Sequence, residues 1–239
     1  MFAIVNKDKS CYYFIWKRID IMAKNLNEAN ELLLEQAKIL FFERGFNDTA
    51  CSDISKSCGL TKGALYYYYK TKLELADAVY KSYTQNIKST VFNRLLNKYG
   101  TYDLQCATAI ELILEMKMYC EHNGAFRFFK EYYDNNFQNI YEHTQFEFYF
   151  MHKQRYNLSI SDDMLRANAI SAKAAGTAFI IYYISAQTDI SFEEALRVRV
   201  KYPFFAMELP NEQINQIIDK SLDMINECGF AIKPYFKVS

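Results

Sequence analysis

The sequence predicts an all-α fold, on two observations. Glycine and proline number 7 and 3 among 239 residues, too few for the turns of an all-β protein. Apolar positions recur three and four apart along most of the chain, the period of helices with one buried face. The length fits one or two domains, and 51 % apolar residues suffice for a sizeable core. Lys plus Arg equals Asp plus Glu at 28 each, so the overall field selects no partner. Locally the balance differs: residues 51–72 carry Lys56, Lys62, Lys70 and Lys72 against Asp53 alone, a basic surface of the kind that nucleic-acid binders use. Six cysteines without a CxxC motif, and no secretory signal, read as reduced thiols of a cytoplasmic protein. No apolar run reaches the roughly 18 residues that span a membrane, so no membrane partner is expected.

Taken in order, residues 1–21 stand apart. Short apolar runs at Phe2–Val5 and Tyr12–Trp16 flank a polar patch, and Met22 opens an ordinary domain start. Translation from Met22 and a genuine extension packed on the domain are both open, and the mass of the natively expressed protein separates them. A helix is expected from Asn27, with Leu33, Ala37, Leu40 and Phe41 on one face, Glu31 and Glu35 early, Arg44 late, and Gly45 as its stop. After the turn Phe46-Asn47-Asp48, Thr49 is expected to cap a short helix anchored by Ile54. Cys58-Gly59-Leu60 reads as a tight turn and Thr61 as the cap of the next helix. Two short helices joined by a Gly-containing turn make a helix-turn-helix. A further helix starts near Thr71 or Lys72, with Leu75, Val79, Tyr83 and Ile87 at i, i+4 spacing. Beyond it, helices are expected at 102–122, 125–134, 136–157, 162–187, 191–201 and 211–227. The breaks between them include Gly100, His122-Asn123-Gly124, Pro203, Pro210 and Gly229. This divides the chain into a 1–21 extension, a 22–83 helix-turn-helix domain and a larger helical domain over 84–239.

Four consecutive tyrosines, Tyr66–Tyr69, follow Thr61-Lys62-Gly63-Ala64-Leu65. At about 100° per residue they cannot share one helix face. Leu65 and Tyr69, four apart, are expected to face inward and Tyr66, Tyr67 and Tyr68 outward. In a helix-turn-helix the second helix enters the major groove by its N-terminal residues, here Thr61, Lys62, Gly63 and Ala64. Lys62 is their one long cationic donor, and the small Gly63 and Ala64 permit close approach to bases.

The pattern Ala37-x3-Phe41-x3-Gly45-Phe46-x2-Thr49-x4-Ile54-x3-Cys58-Gly59-Leu60-Thr61-Lys62-Gly63-Ala64-Leu65-Tyr66-x-Tyr68-Tyr69-x2-Lys72-x2-Leu75 resembles the N-terminal domain of TetR-family, tetracycline-repressor-like, transcriptional regulators. The resemblance covers residues 28–83; the rest is similar only in being helical and of suitable length. It implies that Thr49, Tyr66, Tyr68 and Lys72 hold DNA phosphates, and that Lys62, Gly63 and Tyr67 lie against bases or their flanking phosphates. Tyr69 departs from the family's usual Phe, Tyr68 from its common His, Ala50 from its frequent Ser or Thr, and Cys58 from its usual Ala.

One recognition helix reads too few bases for useful specificity, so a homodimer on palindromic double-stranded DNA is expected. Small residues on 162–187, including Ala172, Gly176 and then Phe179, and an apolar stripe on 211–227 with Ile218, Leu222 and Ile225 are candidates for the dimer interface that the resemblance implies. The same stripes would serve an intramolecular core. The resemblance also implies a small-molecule effector pocket in the aromatic-rich middle of the chain. Tyr119, His122, Phe129, Tyr133, Phe146, Tyr149 and Tyr183 are its candidates, although such rings also fill cores. His143 and His152, nine apart, face opposite ways round a helix, and no metal or cofactor is expected. Enzyme motifs such as GxSxG, HExxH or a phosphate loop are absent. The expected function is therefore a ligand-responsive DNA-binding regulator, read as a repressor. The alternative is a helical protein of the same fold that acts through a protein partner or binds a small molecule without binding DNA.

Overall fold

The computed structural model describes residues 28–140, 144–186 and 188–239. The expected extension at 1–21 and His143 lie outside the described residues. Helix α1 (Glu28–Arg44) begins with Glu28 and Glu31 and ends with Arg44, charges that complement its dipole. Its buried stripe includes Leu33, Ala37, Leu40 and Phe41. Gly45 ends it at φ +88, a conformation that strains any other residue. Helices α2 (Cys51–Ser57) and α3 (Lys62–Tyr68) follow, separated by a turn in which Gly59 takes φ +67. Ile54 and Leu65 are fully buried, and both helices pack on α1. The helix-turn-helix is thus present where the sequence placed it.

Helix α4 (Lys72–Tyr99) is capped by the Thr71 hydroxyl, which accepts from the Glu74 amide at 3.0 Å. Its 28 residues extend about 42 Å. A buried stripe, Leu75, Val79, Tyr83, Ile87, Val91 and Leu95, runs along it. The helix continues unbroken through residue 83, so the helix-turn-helix and the larger helical part share this element. At their centre lies α5 (Leu104–Glu121), buried on almost every side by α4, α6 (Asn123–Asn136), α9 (Phe192–Ala206) and α10 (Asn211–Cys228). Between α6 and α9 come α7 (Phe146–Tyr156) and α8 (Asp162–Ser185), the latter packed along α9. Among the described residues no helix is long and apolar enough to cross a membrane, and no cluster of His, Cys, Asp or Glu could hold a metal.

Several expectations need correction. The helix expected over 136–157 is interrupted: the chain leaves α6 at Asn136 and makes a 3₁₀ turn at Phe137–Asn139, and the next described helix starts at Phe146. The segment Asp134-Asn135-Asn136 competes for backbone hydrogen bonds, which favours turns. Pro203 does not end its helix but lies inside α9, buried against the core, where the missing amide costs less than losing the packing. Asn123 and Gly124 open α6 rather than preceding it. A short antiparallel hairpin, β1 (Ile232–Lys233) with β2 (Lys237–Val238), closes the chain and is too brief to show a strand period.

The dimer candidates also change. Ile218 and Ile225 are buried on α10, which packs on α5. Ala172 and Gly176 are buried too, and a side chain added at Gly176 would meet the Arg199 guanidinium of α9 at 3.3 Å. These four are buried within the single chain, Ile218 and Ile225 on the helix that packs on α5, Gly176 against Arg199 of α9 and Ala172 nearby on α8. Leu222 and Phe179 are half-buried against the same core.

Candidate nucleic-acid interface and internal cavity

Helix α3 separates its residues by face. Leu65 and Tyr69 turn inward, as expected, with Leu65 fully buried and Tyr69 nearly so. Burial pushes the Tyr69 phenol up to about 12. Tyr67 stands 81 % exposed, Tyr66 is exposed, and Tyr68 is half-buried, its ring edge-on to Tyr67 at 5.0 Å. Thr61, Lys62 and Gly63 are all exposed at the start of the helix. The Thr61 hydroxyl caps it by accepting from the Ala64 amide at 3.2 Å, worth about 1 kcal/mol. Lys62 Nζ lies 5.6 Å from the Tyr66 ring centre, and the neighbouring Cys51 thiol pushes the Tyr66 phenol up in pKa. The outer face of α3 is therefore a cation and an aromatic platform around a small-residue N-terminus.

Two expected phosphate contacts have other work in this structure. Thr49 is buried, and its hydroxyl donates to the Gly45 carbonyl at 2.6 Å, with the Leu40 carbonyl at 3.2 Å. It does not cap α2, whose N-cap is Ala50 without a side-chain bond; its hydroxyl instead closes the end of α1. Lys72 Nζ donates to the carbonyls of Phe46, Asn47 and Thr49 at 2.8, 3.3 and 3.2 Å and sits over the Phe46 ring at 4.3 Å. Its charge fastens the α1–α2 turn to the start of α4.

A cavity of about 130 Å³ lies between α4, α5, α7, α8 and α9. Glu115 dominates its floor. This carboxylate accepts from Arg199 Nη2 at 3.0 Å, Tyr80 Oη at 2.9 Å and Tyr119 Oη at 3.3 Å. Burial alone would raise its pKa, but the charges of Arg199 and Lys173 and these bonds hold it below the usual carboxylate range. Lys173 places its ammonium 3.4 Å from Tyr80 Oη and over the rings of Tyr80 and Tyr133. Glu111, half-buried on the next turn, is pushed up to about 7 by desolvation, against the pull of Lys88. Ile87, Leu112, Phe148, Tyr149 and Pro203 supply apolar wall.

Of the expected pocket residues only Tyr149 lines this cavity. Tyr119 and Tyr133 lie behind its wall, in contact with Glu115 and Lys173. Phe129 is core, stacked on Tyr119 at 4.3 Å. Phe146 lies under the Arg166 guanidinium, His122 lies beside Phe42 of α1, and Tyr183 borders a separate hollow with Cys120 and Phe192. Aromatic content points to this part of the chain but not to the polar centre of the cavity. The signal for that centre was Glu111 and Glu115, one turn apart inside the apolar run of α5.

Residues 33–79 match the sequence profile of the bacterial regulatory proteins of the tetR family. These residues therefore resemble a tetR-family DNA-binding domain. The chain is 33 % identical over 72 residues to the uncharacterized HTH-type transcriptional regulator YuxN of Bacillus subtilis, covering 30 % of this chain and 23 % of that protein. It is 32 % identical over 65 residues to the HTH-type transcriptional repressor KstR2 of Mycobacterium tuberculosis, covering 27 % and 32 %. The chain thus spans less than a third of the length of these curated relatives. The crystal structure of RolR in complex with resorcinol matches over 83 % of this chain and 95 % of its own, with a TM-score of 0.55 and 14 % identity. That likeness concerns the fold, including the helices beyond the tetR-family domain.

The tetR-family domain is joined to the rest by more than α4. The N-terminus of α6 meets the C-terminus of α1 so closely that a Cβ on Gly124 would lie 2.2 Å from the Phe42 carbonyl oxygen. The Arg127 guanidinium donates to the carbonyls of Phe42 and Glu43, and the Asn47 amide donates to Glu131 Oε2 at 2.8 Å. The C-terminal hairpin adds a second tie. Phe236 packs among Phe42, Tyr83 and Phe128, and the Tyr235 hydroxyl donates to Glu43 at 3.3 Å.

Proposed function

We propose that this chain is a ligand-responsive transcriptional repressor of the cytoplasm that binds a palindromic operator as a homodimer and releases it when a small molecule fills the cavity. The observation that carries the reading is the division of α3, with Leu65 and Tyr69 buried, Thr61, Lys62 and Gly63 exposed at its leading end and Tyr67 exposed in its last turn. A helix of this kind in a helix-turn-helix offers its N-terminal residues to base edges. Lys62 reaches a guanine edge or phosphate, Tyr67 the groove, and Tyr66 and Tyr68 the backbone, while Lys72 acts through the turn that its three bonds hold. The names of KstR2 and YuxN as transcriptional repressor and regulator support the class. The complex of RolR with resorcinol supports a small effector.

A second copy pairs, on this reading, through the outer face of α8. Met164 and Tyr182 are 52 % and 53 % exposed there, with Ala167, Ser171 and Ala178 exposed between them. Small residues let two helices approach closely. The effector acts by linkage: it favours a conformation with wrongly spaced reading heads and so lowers DNA affinity. Selection of bound sequences from a random DNA pool tests the whole reading. An inverted repeat with half-sites one or more helical turns apart, about 10 base pairs each, is the expected product. Enrichment of no sequence, or of single half-sites only, overturns it.

A further inference from the structure

We infer that the cavity between α4, α5, α7, α8 and α9 selects a small monoanion, a carboxylate carried on an apolar body no larger than a single ring. The inference rests on the reading of this cavity as the effector site.

The charges around the cavity do not balance. Lys88, Lys173 and Arg199 line it against Glu111 and Glu115. Glu115 is already engaged by Arg199, Tyr80 and Tyr119, which leaves it little capacity for a cationic ligand. Glu111 holds its proton into the neutral range because of its burial. Lys173 meets no carboxylate within salt-bridge distance among the described residues; its partners are the Tyr80 hydroxyl and two ring faces. Lys88 donates to the neutral Gln145 side chain at 2.9 Å. Arg199 is 8 % exposed, and its Nε has no hydrogen-bond partner. A buried guanidinium donor without an acceptor is costly.

Each ligand class meets this inventory differently. A cation would enter a site with three cations and a saturated carboxylate. A neutral ligand would leave the Lys173 ammonium without a directly paired carboxylate. A carboxylate offers charge to Lys173 and acceptor lone pairs to the donors around it, in surroundings of low dielectric where such bonds are strong. The volume, about 130 Å³, is below the ~300 Å³ at which drug-sized pockets begin and close to the ~150 Å³ that admits benzene in an engineered cavity. Ile87, Leu112, Phe148 and Pro203 suit the apolar body.

The test uses the full chain with benzoate, benzamide and benzylamine as probes of one shape and three charges. Binding is measured by calorimetry, and DNA affinity by a shift assay on the selected operator. Benzoate should bind at least about tenfold more tightly than benzamide, the increment of one charge-assisted hydrogen bond, and benzylamine weakest. Lys173→Met should abolish the preference and Lys173→Arg should keep it. Equal binding of benzamide, survival of the preference in Lys173→Met, or no benzoate binding at millimolar concentration overturns the inference. Operator release by benzamide as effective as that by benzoate removes the charge selectivity and leaves the effector site standing. Selective benzoate binding that leaves operator affinity unchanged does the reverse.

Discussion

His152 and Glu111 both titrate where the fold, not solvent, decides their charge. His152 is fully buried, with Nδ1 2.9 Å from the Phe148 carbonyl oxygen and Nε2 3.3 Å from the Thr108 hydroxyl. Nδ1 therefore donates and Nε2 accepts, in a neutral ring. Burial holds its pKa down at about 4 against about 6.5 unfolded. Its contribution is present above pH 6.5 and is lost as pH falls toward 4. Glu111, pushed up to about 7, has the opposite sign: its contribution is present below about 4.5 and is lost as pH rises through 7. Between about pH 4.5 and 6.5 the two slopes oppose and stability is nearly flat. Glu111→Gln should expose a stability that rises with pH across this window, by about 2 kcal/mol, in urea melts at fixed pH. His152→Gln should expose a falling one; parallel shifts at all pH values would refute the assignment. Lys72 and Tyr67 make a second contrast. Lys72→Ala should lower stability by about 1–3 kcal/mol, because it frees three carbonyls, and should weaken binding to cognate and scrambled DNA alike. Tyr67→Ala, on an exposed side chain, should leave the melting temperature unchanged and alter sequence preference. Thr49 shows why the roles of single residues were hard to read: the same hydroxyl suits a cap, a phosphate or an i−4 carbonyl, and only the end of α1 reveals that the carbonyl has it.

The elements were more legible than their side chains, for a physical reason. A helix such as α4 repeats its apolar signal over many turns at 3–4 spacing, and glycines at 45, 59, 100 and 229, all at positive φ, punctuate the chain as the sequence indicates. The misreadings fall where one strong local signal loses to packing. Pro203 is kept inside α9 by its neighbours, and Gly124 is not a stop but a point of contact. The link that α4 makes between the two parts is accompanied by α6, whose glycine lets it touch α1. Gly124→Ala places a methyl 2.2 Å from the Phe42 carbonyl oxygen, and backbone cannot yield as a flexible side chain can. It should destabilise the chain by about 1–3 kcal/mol. If α6 transmits the effector signal, it should also reduce the change in operator affinity that an effector produces. A variant that melts and responds like the parent would show that the α1–α6 contact carries neither load.

The assembly depends on which faces remain after each chain has built its own core. The stripe on α10 was a fair dimer candidate in the sequence, because periodicity reports that a face is buried but not what buries it. Here α5 buries it, and the remaining apolar surface on α8 centres on Met164 and Tyr182. A charge there should separate two copies without disturbing the fold, because Tyr182 is 53 % exposed and exposed substitutions change stability little. Tyr182→Lys should therefore sediment as a monomer at micromolar concentration with an unchanged helical spectrum, where the parent sediments as a dimer. DNA binding gives an independent reading of the same change. Each neutralised phosphate contributes about −0.9 to the slope of log affinity against log salt, so one reading head in place of two should halve that slope. A parent that is monomeric, or a Tyr182→Lys variant that stays dimeric with the parent's full salt slope, would place the pairing surface elsewhere on the molecule.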